Sequence, residues 1–386
     1  MRMHLTCVSF SYPSTPGEVR ADLATALRRD AETSDTFVLA TCLRIEVAVA
    51  GDRHRLDEVA TTLFGDPACL DHGVIRSGEA AIAHLFRVAA GLESPILGER
   101  EILTQFRQAL ADAEERGSVT GLTAKLLETA VSVGRQAREL LPDSPHDSMA
   151  AVAAQVVGGA DRVAVLGAGL MAQAVVMGLL GLPAPPEVTV VARTPENVTI
   201  PGVTVRSMTA ASEVIETFPA VVSATSAKQR LIPEAELAEA LARRSDALTL
   251  VDMAMPPDLL PPPGAAVRYV DIDELAGKAA RRPRRDDADA MVNAAAGEAY
   301  RRFTDHHAVG PVIGGLMRAA DEIVDRTVDR FTGRLGRGDD DRLLRQAAHT
   351  VARSLLASPV SYLRSGDRPA EAVDLIAAAF GIDEEK

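Results

Sequence analysis

The chain has no tryptophan, and aromatic residues make up 3% of it, so its cores must be assembled from leucine, valine, isoleucine and alanine. Its cysteines are three, Cys7, Cys42 and Cys69, widely spaced and without a Cys-x-x-Cys pair. An odd, scattered set argues against both a disulfide framework and a zinc site, so no metal is expected. An 18-residue uncharged apolar run is lacking, and no membrane partner is expected. The opening Met-Arg-Met-His-Leu-Thr-Cys does not follow the charged-then-apolar order of an export leader, which makes a reducing cytoplasm the expected location. Positive charge is also short: a net charge of −13 provides no global field for nucleic acid, and any RNA contact must rest on local arginines.

What is present is the make-up of a soluble globular protein, and 386 residues suggest two to three domains. Residues 4 to 9 read as a strand, Pro13, Pro16 and Gly17 as a loop, Glu18 to Arg29 as a helix, and residues 37 to 50 as one strand closed by Gly51-Asp52. From Gly78 the pattern turns helical, with Ala81, Ile82, Leu85, Phe86 and Ala89 at three- and four-residue spacing. A loop rich in glycine and polar residues from Gly91 leads into a further helix, and residues 120 to 141 read as another. Pro142-Asp143-Ser144-Pro145 marks the first domain boundary, because helices rarely continue through proline. After a short helix, Ser148 to Val157, strands at 162–166, 187–192, 203–205, 220–224, 248–253 and 267–270 alternate with helices or loops, as a parallel sheet requires.

A second boundary falls near Glu274, and the remainder reads as helices, chiefly 313–331 and 343–356, with a polar turn at 336–341. Arg281-Arg282-Pro283-Arg284-Arg285 is a basic cluster interrupted by a helix-breaking proline. The expected fold is α/β in three parts. Residues 1–143 form an α/β domain, 144–274 a Rossmann-type parallel sheet, and 275–386 an all-helical domain suited to pairing with a second subunit.

The chemistry centres on Thr41-Cys42-Leu43-Arg44. In a continuous strand Cys42, Arg44 and Glu46 would share the polar face, and a neighbouring cation lowers a thiol from its free pKa of about 8.5 toward the reactive thiolate. Read on these residues alone, Cys42 is either a nucleophile or a small core residue, since free cysteine is often buried. His84 is open in the same way, between a satisfied core histidine and a proton-transfer group. Glu99 and Glu101 read first as charges favoured at a helix N-terminus.

A buried strand, then Gly167-Ala168-Gly169-Leu170-Met171-Ala172, then a helix is the arrangement that seats a pyrophosphate on backbone amides at a helix N-terminus. The next strand ends in Ala192-Arg193-Thr194, where an acidic residue would grip the ribose hydroxyls of NAD. A cation there suits the 2′-phosphate of NADPH, the alternative being a solvated loop arginine. Ser223 and Thr225, with the loop 252–256, lie at strand ends that face such a cofactor.

Taken together, the motifs resemble the glutamyl-tRNA reductase family. These are Thr-Cys-x-Arg-x-Glu at 41–46, the His84-Leu-Phe-Arg-Val-Ala-x-Gly-Leu-x-Ser-x-x-Leu-Gly-Glu99 run, the Gly-Ala-Gly-x-Met turn, Asp252-x-Ala-x-Pro256 and Asp271-Ile-Asp-x-Leu275. They recur in the family's order over nearly the whole chain. The resemblance implies NADPH-dependent reduction of glutamyl-tRNA to glutamate-1-semialdehyde, for tetrapyrrole synthesis, through a thioester on Cys42. It implies that His84 works in the active site, that Thr41, Arg44, Ser94, Glu99, Glu101 and Gln105 line the substrate pocket, and that residues 167–172, Arg193, Thr194, Ser223 and Thr225 hold the cofactor. A homodimer built on a spinal helix is implied too, with glutamate-1-semialdehyde aminomutase as the partner that takes the product.

The chain departs from the family at Leu43, where Asn is usual, at Arg100-Glu101, where Pro-Gln is usual, at Ser11–Pro16, at Ser144–Met149, at Pro257 and at Pro283. Two rival readings use the same residues: a paralogue reducing another aminoacyl-tRNA or acyl thioester, and a non-catalytic relative that binds tRNA or a partner. The joint presence of Cys42, Arg44 and His84 speaks against the second, because binding alone has no need of a thiol.

Overall fold

Two runs of alternating residues meet in a tight hairpin near the start of the chain, and the first region is built around it. In the computed structural model, which describes residues 5–28, 31–141, 148–227, 229–279, 286–332, 340–365, 371–380 and 382, this region opens with β1 (Leu5–Ser11), α1 (Gly17–Ala26), β2 (Thr36–Ala40) and β3 (Arg44–Ala50). The helix α2 (Arg53–Phe64), the strand β4 (Val74–Ser77) and the helices α3 (Glu79–Ala89), α4 (Arg100–Glu115) and α5 (Gly121–Leu140) follow. The strands form an antiparallel sheet of order β2-β3-β1-β4. Val8, Phe10, Ile45, Val47 and Val49 bury one face against Leu56, Val59, Ala60 and Leu63 of α2, while the other face is covered by α3 and α4, where Phe37 stacks on Phe106 at 4.8 Å.

The single strand expected over residues 37–50 is therefore two strands, β2 and β3, and Cys42 sits in the turn between them. The Thr41 N–H donates to the Arg44 carbonyl at 2.8 Å and the Leu43 N–H to the Thr41 hydroxyl at 3.3 Å, so the threonine closes the turn with its own side chain. This reverses the chain, so Phe37 and Leu39 lie on the sheet face opposite Ile45 and Val47 instead of sharing one with them. The helix α2 was not expected, yet its signals are in the chain. Asp52 caps it by accepting from the Arg55 N–H at 3.1 Å, Leu56, Val59, Ala60 and Leu63 repeat at helical spacing, and Gly65 ends it at φ +89°.

The proline-bounded linker at 142–145 lies outside the described residues. Beyond it come α6 (Met149–Val157), β5 (Arg162–Leu166), α7 (Leu170–Leu180), β6 (Glu187–Ala192), β7 (Thr204–Ser207), α8 (Ala211–Thr217), β8 (Ala220–Ser223), α9 (Glu234–Ala242), β9 (Leu248–Asp252), β10 (Val267–Val270) and α10 (Ile272–Lys278). All six strands pair in parallel in the order β10-β9-β8-β5-β6-β7, the doubly wound arrangement of dinucleotide-binding sheets. Helices α6, α7 and α10 cover one face, and α8 and α9 the other. Leu43 from the hairpin and Ile96 are buried in the first of these cores, and each such side chain stabilises by about 1.5–3 kcal/mol. The thiol-bearing turn is thus seated on the cofactor fold.

The basic cluster at 281–285 and most of the polar turn at 336–341 lie outside the described residues. Helix α11 (Asp286–Thr332) is one element of 47 residues where a shorter helix was expected, and α12 (Asp340–Arg364) and α13 (Glu371–Ala379) follow. The chain divides into a larger unit reaching Ala299 and a smaller one beginning at Tyr300. The smaller unit has its own core of Val309, Val312, Leu316, Leu356, Val360, Leu363 and Val373. Arg345 pairs there with Asp325 and Asp329, and His349 with Asp321. No helix among the described residues is long and apolar enough to cross a membrane.

Candidate functional site

A narrow cleft opens where the turn at Thr41–Arg44 meets the start of α4 and the first turn of α7. It is lined by Thr41, Cys42, Leu43, Arg44, Ser94, Pro95, Glu99, Glu101, Ile102, Gln105 and Met171. Every substrate-pocket residue expected from the sequence is in that set, and Met171 brings in the glycine-rich turn of the cofactor fold. The free space is about 20 Å³, room for one water, so an aminoacyl group enters only as the walls part.

Local backbone geometry explains why these groups converge. Gly91 and Gly98 adopt left-handed conformations, φ +73° and +77°, and the Gly98 N–H donates to the Gly91 carbonyl at 3.0 Å, folding residues 91–98 back on themselves. A Cβ on Gly91 would lie 3.1 Å from the Gly98 Cα, so the loop needs glycine there for space as well as for φ. Arg138 of α5 donates to the carbonyls of Gly98 and Glu99, pinning the entry to α4 and aiming Glu99 and Glu101 at the thiol.

The charges are arranged differently from the sequence expectation. Arg44 does not hold the thiol. Its Nη1 donates to the Glu46 carboxylate at 3.1 Å and its Nη2 to the Glu93 carbonyl, and Arg44 and Glu46 are 3% and 0% exposed. The cation beside Cys42 is Arg20 of α1, whose Nη1 donates to the Cys42 carbonyl at 3.0 Å and whose Nη2 donates to Asp273. Its effect on the thiol is outweighed: burial and the Glu99 carboxylate push Cys42 up to about 12. At neutral pH the resting sulfur therefore carries its proton, which corrects the expectation of an arginine-activated thiolate. Burial and the neighbouring Glu101 push Glu99 up to about 7.

His84 is buried behind the cleft, not in it. Its Nε2 lies 2.9 Å from Glu46, to which Ser9 also donates at 2.9 Å. Burial pushes the Glu46 carboxyl up, but the hydrogen bond from His84 and the charges of His84 and Arg44 reverse this and hold it below the usual carboxylate range. Ser9, His84, Glu46 and Arg44 thus form a chain that ends at the cleft wall.

In the cofactor fold, Gly167 has φ +116°, and a Cβ there would meet the Ala224 carbonyl at 2.6 Å, so β5 and β8 approach closely only because that residue is glycine. A Cβ on Gly169 would meet nothing within 4 Å, and no side chain caps α7, leaving its first amides open to a phosphate. Arg193 and Thr194 are exposed at the end of β6, and no described residue pairs with the Arg193 guanidinium. These features fit a phosphorylated dinucleotide. Ser223 and Thr225 are already engaged: their hydroxyls donate to Asp258 at 2.7 and 2.6 Å.

The sequence reading missed Asp258, Arg20 and Arg138. Nothing in their spacing distinguishes them from surface charges, and each acquires a role only through partners distant in the chain. Asp252, beside Asp258, is pushed up to about 8 by burial and by that neighbouring carboxylate, while its oxygens accept from the Ala254 and Leu259 amides at 2.9 and 2.8 Å. Among the described residues no group of side chains could hold a metal ion.

A cysteine-bearing domain whose thiol cleft is completed by a residue of a doubly wound dinucleotide fold defines a class of oxidoreductase, and the fold implies a nicotinamide cofactor. Residues 8–140 match the glutamyl-tRNA(Glu) reductase N-terminal domain, 151–277 the shikimate/quinate 5-dehydrogenase domain, and 287–382 the glutamyl-tRNA(Glu) reductase dimerisation domain. Curated relatives include glutamyl-tRNA reductases of Roseiflexus castenholzii, 29% identical over 99% of this chain and 98% of that protein, and of Salinispora tropica, 30% identical over 94% and 88%. A solved glutamyl-tRNA reductase from Methanopyrus kandleri covers 100% of both chains, with 23% identity and a TM-score of 0.48. The chain belongs to the glutamyl-tRNA reductase family.

Proposed function

We propose that the protein reduces glutamyl-tRNA to glutamate-1-semialdehyde with NADPH, through a thioester on Cys42, as the first step of tetrapyrrole synthesis by way of 5-aminolevulinate. The observation that carries this reading is the shared cleft: Cys42 and Met171, from the thiol domain and the nucleotide turn, face the same narrow space. An acyl group held on that sulfur lies beside the cofactor fold without having to travel. Bound NADPH supplies the hydride that reduces the acyl group to the aldehyde, and a thioester is far more readily reduced than a carboxylate.

The chain's own residues bind and orient. Arg44 uses two of its five N–H donors on Glu46 and Glu93, leaving donors for the side-chain carboxylate of the glutamyl group. Thr41, Ser94 and Gln105 add neutral polar contacts, and Glu99 and Glu101 face the ammonium group next to the carbonyl under attack. His84 acts through Glu46 to hold Arg44 in position. Residues 167–172 hold the pyrophosphate and Arg193 with Thr194 the 2′-phosphate, while Ser223 and Thr225 shape the cofactor-facing loop through Asp258.

Residues 1–143 make up the catalytic domain in this reading, 144–274 the NADPH domain, and 275–386 a spinal and dimerisation domain. Exposed Leu343, Val351, Leu355 and Leu375 support pairing of that last part with a second copy in a cytoplasmic homodimer. Glutamate-1-semialdehyde aminomutase is the partner that takes the labile aldehyde.

The test is incubation with glutamyl-tRNA and NADPH, with other charged tRNAs in parallel. Semialdehyde is expected from glutamyl-tRNA alone, and none from Cys42→Ser. Full turnover by that variant, or equal reduction of other aminoacyl groups, overturns the reading.

A further inference from the structure

A thiol that rests protonated must lose its proton as it attacks, and the cleft narrows the choice of group that takes it. Beyond the cysteine itself, the ionisable residues lining it are Arg44, Glu99 and Glu101. Arg44 cannot accept a proton, and its guanidinium is bonded to Glu46 and the Glu93 carbonyl. His84, the residue type most often used for such work, lies outside the lining with its Nε2 turned to Glu46.

We propose that Glu99 is the proton carrier of the acylation half-reaction, an inference that rests on the aminoacyl-ester reading given above. Its carboxylate takes the proton from Cys42 Sγ while the S–C bond forms at the ester carbonyl. The same proton goes to the ribose oxygen as the C–O bond breaks, so the step balances without oxidant or reductant.

Three further observations support this. The backbone at Glu99 is fixed by Arg138 on its carbonyl and by its own N–H donating to the Ile96 carbonyl at 3.1 Å, so the carboxylate is held at the cleft instead of sweeping solvent. The Met149 backbone at the start of α6 also acts on the Glu99 carboxylate, lowering it against the effect of burial. Sulfur and carboxylate line the same cleft, whose free space is about that of one water, so both groups border one small volume. The groups facing Glu99 are Glu101, Arg44 and Arg138, and those facing Cys42 are Glu99, Arg20 and Glu101. Burial and Glu101 bring Glu99 to about 7, where it is ionised often enough to accept a proton and protonated readily enough to return one. Of the two acids, Glu99 acts on the thiol more strongly than Glu101.

Two measurements test this on the full-length protein. Rapid-quench acylation of Cys42 by glutamyl-tRNA without NADPH is expected to slow about a hundredfold or more in Glu99→Gln, with loss of the rising limb near pH 7. Glu99→Asp restores part of that limb, whereas Glu101→Gln slows acylation without removing the limb, as loss of a contact to the substrate ammonium would. In parallel, the pH profile of Cys42 alkylation by iodoacetamide moves to lower pH in Glu99→Gln, because a negative charge next to the thiolate has been removed. Unfolding would also lower the thiol by relieving its burial, so the urea midpoint of Glu99→Gln is measured alongside and is expected to match wild type.

Acylation of Glu99→Gln within about threefold of wild type with the limb intact overturns the proposal. An alkylation profile indifferent to Glu99 overturns it as well. If glutamyl-tRNA fails to acylate even the wild type while the alkylation profile still depends on Glu99, the substrate reading falls and the coupling of thiol to carboxylate stands.

Discussion

Arg20 donates from Nη1 to the carbonyl oxygen of Cys42 at 3.0 Å, and the same guanidinium reaches Asp273 at the start of α10. At 1% exposure it is the largest fully buried side chain among the described residues, and it ties the thiol-bearing turn to the cofactor fold. Arg20→Ala is expected to destabilise by about 2–3 kcal/mol, at the lower end for a broken buried pair because Asp273 is 29% exposed and keeps water. Urea unfolding reads that loss. Acylation should slow about tenfold while NADPH affinity stays within about twofold, because the hairpin moves and the glycine-rich turn does not. An unchanged acylation rate would show that the turn holds its shape without the arginine.

The Glu46 carboxylate sets the behaviour in acid. Its folded pKa is depressed, so the stability it contributes is fully present above its unfolded pKa of about 4.3 and disappears as pH falls through the folded value. Glu46→Gln leaves the buried Arg44 without its counter-charge and should cost about 3 kcal/mol at pH 7. The gap between variant and wild type should close as pH drops below about 4. Thermal unfolding across pH 3 to 7 measures this (about the span over which carboxylates titrate), and a gap of constant size would refute it.

Arg193 is exposed at the end of β6 with no described partner, so its removal should cost the fold nothing measurable. Arg193→Ala is expected to weaken NADPH by about tenfold to a hundredfold, the value of a charge-assisted hydrogen bond, and to leave NADH unaffected. Titration of cofactor fluorescence gives both constants. Equal losses for the two cofactors would mean that the arginine does not read the 2′-phosphate.

Ser223 donates to Asp258 at 2.7 Å in a site with 0% exposure for both residues. Ser223→Ala should therefore appear as about 1.5–3 kcal/mol of lost stability, the range for a hydrogen bond to a charged group. NADPH affinity should stay within about threefold, by indirect displacement of the loop. Denaturant midpoints and cofactor titration separate the two, and a large loss of affinity in a fully stable variant would place the hydroxyl on the cofactor instead.

The elements that were legible in advance are those with a local period or a local punctuation. The six parallel strands were visible as short apolar runs between helices, and the Gly-x-Gly-x-x-Ala turn was visible because only glycine at 167 permits the close approach to Ala224. The helix α2 is equally legible from Asp52, its apolar spacing and Gly65. The turn at Cys42 was not legible in the same way, because residues 37–50 alternate like one strand and the reversal depends on the pairing of Ala40 with Ile45 across the hairpin.

From the sequence alone come the three-part architecture, the membership of Cys42, Arg44, Glu99 and Met171 in recognisable motifs, and the cation at the end of the second Rossmann strand. Only the tertiary structure decided which charge meets which. Arg44 turned to Glu46, His84 retired behind them, Arg20 reached across 253 positions to Asp273, and Glu99 became the carboxylate that shares space with the thiol. The reason is that residue type and spacing encode period and turn chemistry, whereas the protonation and partner of a buried charge are set by whatever the packed fold leaves within a few ångströms of it.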